Sequence, residues 1–245
     1  MQLVAHRGNA REYPENTLPA FRSALELGAR YLELDVQLSA DAVPVVIHDA
    51  TLARTTGRRG RVRDLTAAEL AGVEAAEPRR FGDAHRGTTL PRLTDALRLL
   101  DGRPDVTLFV EIKRESLVDA GLDRTVAAVV DACAPWRRQC VAISFDLEAV
   151  VRARALGAAA IGWVLGRPDE RSRRRAEDVR PDFLFVDVRR IGRRTTLWPG
   201  RWRWVVYEVD DPAVAHRLAT LGVEFIETMA VAPMLRALDA RPSPP

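Results

Sequence analysis

Residues 31–37 read Tyr31-Leu32-Glu33-Leu34-Asp35-Val36-Gln37. The stretch alternates with the two-residue period of a strand, so Leu32, Leu34 and Val36 point one way while Glu33 and Asp35 point the other. Two carboxylates on one face of a strand repel each other, and burying both without compensation costs several kcal/mol. The pattern suits a barrel strand whose acidic face looks into the mouth. The compensating charge would come from a divalent cation or, in the plainer reading, from arginines.

Outward from this strand the chain keeps one rhythm. Short β-branched runs at Leu3–His6, Val106–Ile112, Val141–Phe145, Ala159–Val164, Phe183–Asp187, Trp204–Val209 and Glu224–Thr228 predict strands. Amphipathic stretches at Leu18–Leu27, Leu93–Leu100, Asp119–Ala132, Leu147–Leu156, Pro212–Leu221 and Val231–Leu238 predict helices. Repeated strand–helix units form a parallel sheet. Eight such units in 245 residues match a closed (β/α)8 TIM barrel, an α/β fold, in both count and length. No Gly-x-Gly-x-x-Gly turn follows any strand, which weakens an open doubly wound sheet. One domain over 1–240 is expected, with a loose tail, Arg241-Pro242-Ser243-Pro244-Pro245.

An extra strand, Pro44–His48, follows the acidic one too closely for a parallel crossover and must return as a β-hairpin. A two-residue turn at Asp41-Ala42 would set Ala40 opposite Val43 and Asp35 opposite His48, placing Glu33, Asp35 and His48 on one face. Ala42 at positive φ costs about 1 kcal/mol, and a turn of another type would move this register.

Bulk properties narrow the function. The net charge of +3 is spread over arginines along the whole chain, without the interleaved aromatics that stack on bases, so no nucleic-acid partner is expected. The run Arg171-Ser172-Arg173-Arg174-Arg175 reads as the solvated face of a helix after Pro168-Asp169-Glu170. No apolar stretch is long enough for an integral membrane segment. The start Met-Gln-Leu-Val-Ala-His-Arg-Gly has no basic region followed by an apolar run, so no signal peptide is expected. Cys133 and Cys140 match no metal-ligand spacing and read as free buried thiols of a reducing compartment. A cytoplasmic location follows as the expectation.

Among the 37 Lys and Arg residues there is a single lysine, Lys113, two residues after Glu111 at a predicted strand end. Both side chains share a face. Glu111 is a candidate oxygen ligand for a hard cation, and Lys113 a point donor for a phosphoryl oxygen. His6-Arg7-Gly8 closes the first strand with a proton carrier, a bidentate anion fork and a residue that permits close backbone approach. His85, in a polar loop, and His216, on a helix surface, read as non-functional.

His6-Arg7-Gly8, Pro14-Glu15-Asn16-Thr17, Leu32-Glu33-Leu34-Asp35-Val36, His48-Asp49, Arg54-Thr55-Thr56, Glu111-Ile112-Lys113, Ser144-Phe145 and Val206-Tyr207-Glu208-Val209-Asp210 together resemble the glycerophosphodiester phosphodiesterase family. The likeness runs from Leu3 to about Leu238. It implies a TIM barrel with a small insertion, at about 51–89, packed over the site. It also implies one divalent metal, Mg2+ or Ca2+, held at positions matching Glu33, Asp35 and Glu111. His6 and His48 match the acid–base pair, and Arg7 and Lys113 the phosphate contacts. Glu15 matches an acid near the metal, while Asn16 would tie the loop. Tyr207 falls where an aromatic often stands, with stacking on the alcohol group or simple packing as its two readings. The implied reaction is hydrolysis of small-molecule glycerophosphodiesters to an alcohol and glycerol 3-phosphate.

Three positions depart from the family pattern: Ala42 for a usual Gly, Asp210 for Asn, and Met229 for the Asp of a terminal Thr-Asp. They bear on which alcohol is accepted. A barrel acting on lysophospholipid or phosphoinositide-like substrates needs an apolar rim, whereas the insertion is mostly polar and Arg-rich. A non-catalytic, metal- or anion-binding barrel would fit the loss of a histidine, and both are present. The sequence leaves oligomeric state open.

Overall fold

Every expected strand is present in the computed structural model, which describes residues 1–191 and 197–239. They are β1 (Gln2–His6), β2 (Tyr31–Leu38), β3 (Pro44–Val46), β4 (Thr107–Ile112), β5 (Cys140–Ser144), β6 (Ala160–Leu165), β7 (Phe183–Asp187), β8 (Arg203–Tyr207) and β9 (Phe225–Thr228). All but β3 pair in parallel, and the ring closes because β1 bonds both β2 and β9. Closure leaves the eight parallel strands as a continuous ring. β3 runs antiparallel on the end of β2. The expected tail at 241–245 lies outside the described residues.

Helices coat the ring: α1 (Leu18–Glu26), α2 (Ala53–Thr56), α3 (Ala67–Ala71), α4 (Pro78–Phe81), α5 (Leu93–Leu97), α6 (Arg114–Ala120), α7 (Leu122–Cys133), α8 (Leu147–Ala155), α9 (Glu170–Val179), α10 (Pro212–Thr220) and α11 (Val231–Asp239). Several begin where a polar side chain satisfies the first free N–H groups. Thr17 caps α1, Asp146 α8, Asp169 α9 and Asp211 α10. The single helix expected over Asp119–Ala132 is in fact two. Gly121, at φ +89°, ends α6, and α7 starts afresh beyond it.

Side-chain alternation sorts the core into two shells. Outward residues such as Leu32, Leu34, Val36, Ile112 and Ile161 pack under the helices. Inward ones form an aromatic plug. The Phe109 ring meets Phe183 and Phe185 edge-on at centroid distances of 5.0 and 5.3 Å, and Phe183 meets Phe225 at 5.7 Å. Gly162 on β6 makes room for this plug. A Cβ there would lie 2.8 Å from Ile143 Cγ2 and 2.9 Å from the Phe185 ring.

The insertion has a small core of its own. Leu52, Val62 and Leu70 pack against Val45, Ile47 and Leu90. α3 opens with a capping box between Thr66 and Glu69.

The hairpin register differs from expectation by one residue. Ser39 N–H donates to Val43 O at 3.1 Å, which leaves three loop residues, Ala40-Asp41-Ala42, with Ala42 at φ +59°. A turn followed by a left-handed residue is the usual three-residue solution. The pairs are therefore Val36–Val46 and Gln37–Val45, and Asp35 O accepts from Ile47 N–H at 3.0 Å rather than facing His48.

Gly162→Val is expected to lower the unfolding free energy by about 1–3 kcal/mol through overpacking, as read by chemical denaturation.

Candidate active site

The C-terminal ends of β1, β2, β4, β8 and β9 converge on one mouth, the end of such barrels where sites are built. His6 ends β1. Arg7 and Gly8 then turn sharply, at φ +57° and +82°, and Arg7 N–H donates to Glu33 O at 3.1 Å. A Cβ at Gly8 would lie 2.7 Å from the Ala20 backbone. Only glycine lets this turn sit on the first turn of α1, and that contact fixes where Arg7 enters the site.

Glu33, Asp35 and Glu111 are all buried, and one carboxylate oxygen from each lies within 4.8 Å of the others. Cations press in from one side. Arg7 Nε is 3.1 Å from Asp35 Oδ2, and Lys113 Nζ is 3.3 Å from Asp35 Oδ1. Lys113 Nζ also donates to Glu111 Oε1 at 2.8 Å. Asn16 clamps Asp35 twice, donating from Nδ2 to Oδ2 at 2.8 Å and accepting from the Asp35 N–H at 3.2 Å.

Sequence reasoning missed a fourth carboxyl, Glu227 on β9, which is 3% exposed and lines the same cavity. The alternation of Phe225 and Glu227 carried its signal, since both lie on the inward face of a strand.

Two cations do not balance four carboxylates set on an aromatic plug. Burial, reinforced by Asp35, Glu227 and Glu111, pushes the Glu33 carboxyl well above its ordinary value. Burial and the neighbouring acids do the same to Glu227. Glu111 is raised by burial despite Lys113 beside it. Asp35 goes the other way, because Arg7 and Lys113 overcome its burial and hold it well below the carboxylate range. Glu33 Oε1, Asp35 Oδ1 and Glu227 Oε1 are buried with no hydrogen-bond partner. Unsatisfied oxygens in a dense carboxylate set fit a hard divalent cation.

His48 is reached from the other side. The strand expected over Pro44–His48 stops at Val46, and His48 arrives at the mouth on the following loop. His48 Nδ1 contacts Asp49 Oδ1 at 2.6 Å. Arg54 of the insertion holds Asp49 through Nε at 2.8 Å and binds Glu15 through both terminal nitrogens at 2.7 Å. Arg7 Nη1 donates to the same Glu15 at 2.9 Å. Glu15 thus braces two arginines and stands outside the carboxylate trio. Burial, with Arg7 and Lys113 nearby, holds the His48 imidazole below its ordinary value.

His6, Arg7, His48, Glu111 and Lys113 line one cavity of about 130 Å³, whose far wall carries Val164, Phe185, Tyr207 and Glu227. Tyr207 is half-buried there, and burial raises its phenol above the ordinary range. Two departures from the family pattern meet each other beside this wall. Thr228 Oγ1 and Met229 N–H both donate to Asp210 Oδ1, at 2.5 and 3.2 Å. A carboxylate at 210 thus caps the turn that starts with Met229.

The remaining histidines lie elsewhere. His85 packs on Tyr13 and Phe81, and His216 bonds its own helix at Pro212 O. The two thiols are free and buried, as expected. Among the described residues, no helix is long and apolar enough to cross a membrane.

The fold and mouth define an α/β barrel with buried acids, basic groups and two histidines around one cavity. Residues 6–228 match the Glycerophosphoryl diester phosphodiesterase family, and the chain belongs to it. A glycerophosphodiester phosphodiesterase of Caldanaerobacter subterraneus is 38% identical over 52% of this chain and 51% of its own. The match with one from Bacillus altitudinis, 37% identical, covers 53% and 52%. The chain spans about half the length of these curated relatives. An Oleispira antarctica phosphodiesterase, solved in complex with the product sn-glycerol-3-phosphate, is 25% identical. It superposes with a TM-score of 0.84 over 98% of this chain and 97% of the other.

The shifted carboxyls give pH predictions with opposite signs. Raised groups (Glu33, Glu111, Glu227) contribute stability that is full below their unfolded value of 4.5 and lost as pH rises through their folded values. Asp35 contributes stability present above 3.8 and lost as pH falls through its depressed value. The chelator-treated protein is therefore expected to lose thermal stability as pH rises above the unfolded value of 4.5 and through the raised values of these carboxyls. Added Mg2+ or Ca2+ should flatten that slope. Melting curves with and without EDTA measure both.

Proposed function

We propose that this chain hydrolyses glycerophosphodiesters to an alcohol and glycerol 3-phosphate. The observation that carries the reading is one cavity lined by His6, His48, Arg7, Lys113 and Glu111, with Glu33 and Asp35 clustered beside Glu111. Family membership and the product-bound relative support the same substrate class.

Glu33, Asp35 and Glu111 would hold one divalent cation, Mg2+ or Ca2+, since three carboxylates offer only hard oxygen donors. Bound there, such an ion polarises a phosphoryl oxygen and offsets the charge of the diester. Arg7 and Lys113 stand beside it, and their part is to grip the non-bridging oxygens and orient the ester. One histidine takes the proton of the attacking hydroxyl, which is either water, giving glycerol 3-phosphate directly, or the neighbouring glycerol hydroxyl, giving a cyclic phosphodiester that water opens in a second step with the two histidines in reversed roles. The other returns a proton to the departing alcohol, so the pair ends a cycle with its protons exchanged. Glu15 and Asn16 position Arg7 and Asp35. Tyr207 and Phe185 on the far wall would receive the alcohol group. Two buried free thiols suit a reducing compartment, and we place the reaction in the cytoplasm.

A panel of glycerophosphodiesters, assayed for released glycerol 3-phosphate with Mg2+ or Ca2+, tests the reading. Turnover of at least one diester is expected, with a loss of about 10²–10⁴-fold in His48→Ala and in His6→Asn. No release from any diester with either ion would contradict it, as would full activity in either variant. Lys113→Met is expected to reduce kcat/KM more than it reduces Mg2+ affinity, which calorimetry reads separately.

A further inference from the structure

His6 is approached at both ring nitrogens. Its Nε2 lies 3.7 Å from Glu33 Oε2, and its Nδ1 lies 3.3 Å from Glu208 Oε1. The imidazole is buried, and Nδ1 has no aligned hydrogen-bond partner. A buried polar atom left in that condition is destabilising. Glu208 is the carboxylate poised to relieve it after a small rotation. It directly follows Tyr207, where β8 ends, and its side chain is 46% exposed. Strand alternation would turn residue 208 away from the barrel once Tyr207 faces in, and the end of β8 at Tyr207 releases it from that rule.

The other histidine offers a direct comparison. His48 has Asp49 at Nδ1, 2.6 Å away. Each histidine of the cavity therefore has a carboxylate at the same ring atom. A neutral imidazole carries one proton, and an acceptor at Nδ1 draws it there and leaves the Nε2 lone pair free. Glu33 competes for the His6 proton from the Nε2 side, but it is farther away, at 3.7 Å against 3.3 Å for Glu208. The nearer acceptor is thus at Nδ1.

We propose that Glu208 is the positioning residue of His6, fixing its Nδ1-protonated tautomer and directing Nε2 toward the carboxylate cluster. The inference rests on the reading of His6 as a proton carrier. The two anchors differ in stiffness. Asp49 is held by two nitrogens of Arg54, whereas His6 is the one ion-pair partner of Glu208 among the described residues. Losing an outer partner of this kind typically costs about 10–100-fold.

Two readouts test the proposal on the full chain. Histidine-labelled protein, examined by 15N NMR without added metal, is expected to show His6 protonated at Nδ1, with a shift toward the Nε2-protonated form in Glu208→Leu. With glycerophosphocholine and saturating Mg2+, Glu208→Leu is expected to lower kcat by about 10–100-fold at unchanged KM. Glu208→Gln keeps an acceptor oxygen at Nδ1 and should restore most of that loss. A wild-type His6 protonated at Nε2 overturns the proposal even if Glu208→Leu fails to fold. So does a Glu208→Leu variant with wild-type kcat, or one that loses kcat with its tautomer unchanged. Failure of the underlying reading looks different: His6→Asn would then turn over normally, whatever Glu208 does.

Discussion

Four carboxyls sit directly on the aromatic plug of the barrel, and most of the mouth can be understood as an answer to that arrangement. Phenyl rings below supply a low dielectric, in which uncompensated carboxylates are costly. Arg7 and Lys113 neutralise part of the charge, chiefly at Asp35 and Glu111. The rest appears as raised carboxyls at Glu33 and Glu227 and as buried oxygens without partners. A compact ammonium at 113 reaches Asp35 and Glu111 together. A broad guanidinium fork would meet the same two oxygens with a different geometry, which gives the one lysine of the chain a physical reason.

The second constraint is rigidity. His48, Asp49, Arg54, Glu15, Arg7 and Asp35 form one unbroken series of contacts between 2.6 and 3.1 Å. It crosses from the insertion, through the loop after β1, to the acidic strand. Sites that exchange protons depend on groups held to fractions of an ångström, and this series ties His48 to Arg7 and Asp35. The left-handed turns at Arg7 and Asn16 belong to the same design. Both residues need unusual backbone conformations to present side chains to Asp35, and strain of that kind collects at working sites.

Much of this was legible in the sequence because period and charge coincide. Alternation placed Glu33 and Glu111 inward and Leu32, Leu34 and Val36 outward, and the count of strand–helix units closed the barrel. The failures have physical causes. The hairpin slipped by one residue because Ala42 accepts the left-handed conformation that glycine normally takes, which makes a three-residue loop where two were counted. His48 still reaches the cavity, but from a loop and not from the face opposite Asp35. Gly121 divided what read as one helix. Arg54 and Asp49 were visible as residues, yet their pairing depends on how the insertion folds back. Glu208 sits beyond the last paired residue of its strand, where alternation no longer predicts direction. Glu227 is different, since its inward position follows from Phe225 and could have been read directly.

The central claim is that this carboxylate cluster is built for a cation. Crystals grown with Mn2+, with anomalous diffraction recorded at the manganese edge, test it most directly. The account predicts one strong peak among Glu33, Asp35 and Glu111, ligated by oxygens from all three. A cluster without a peak at saturating Mn2+ would contradict it.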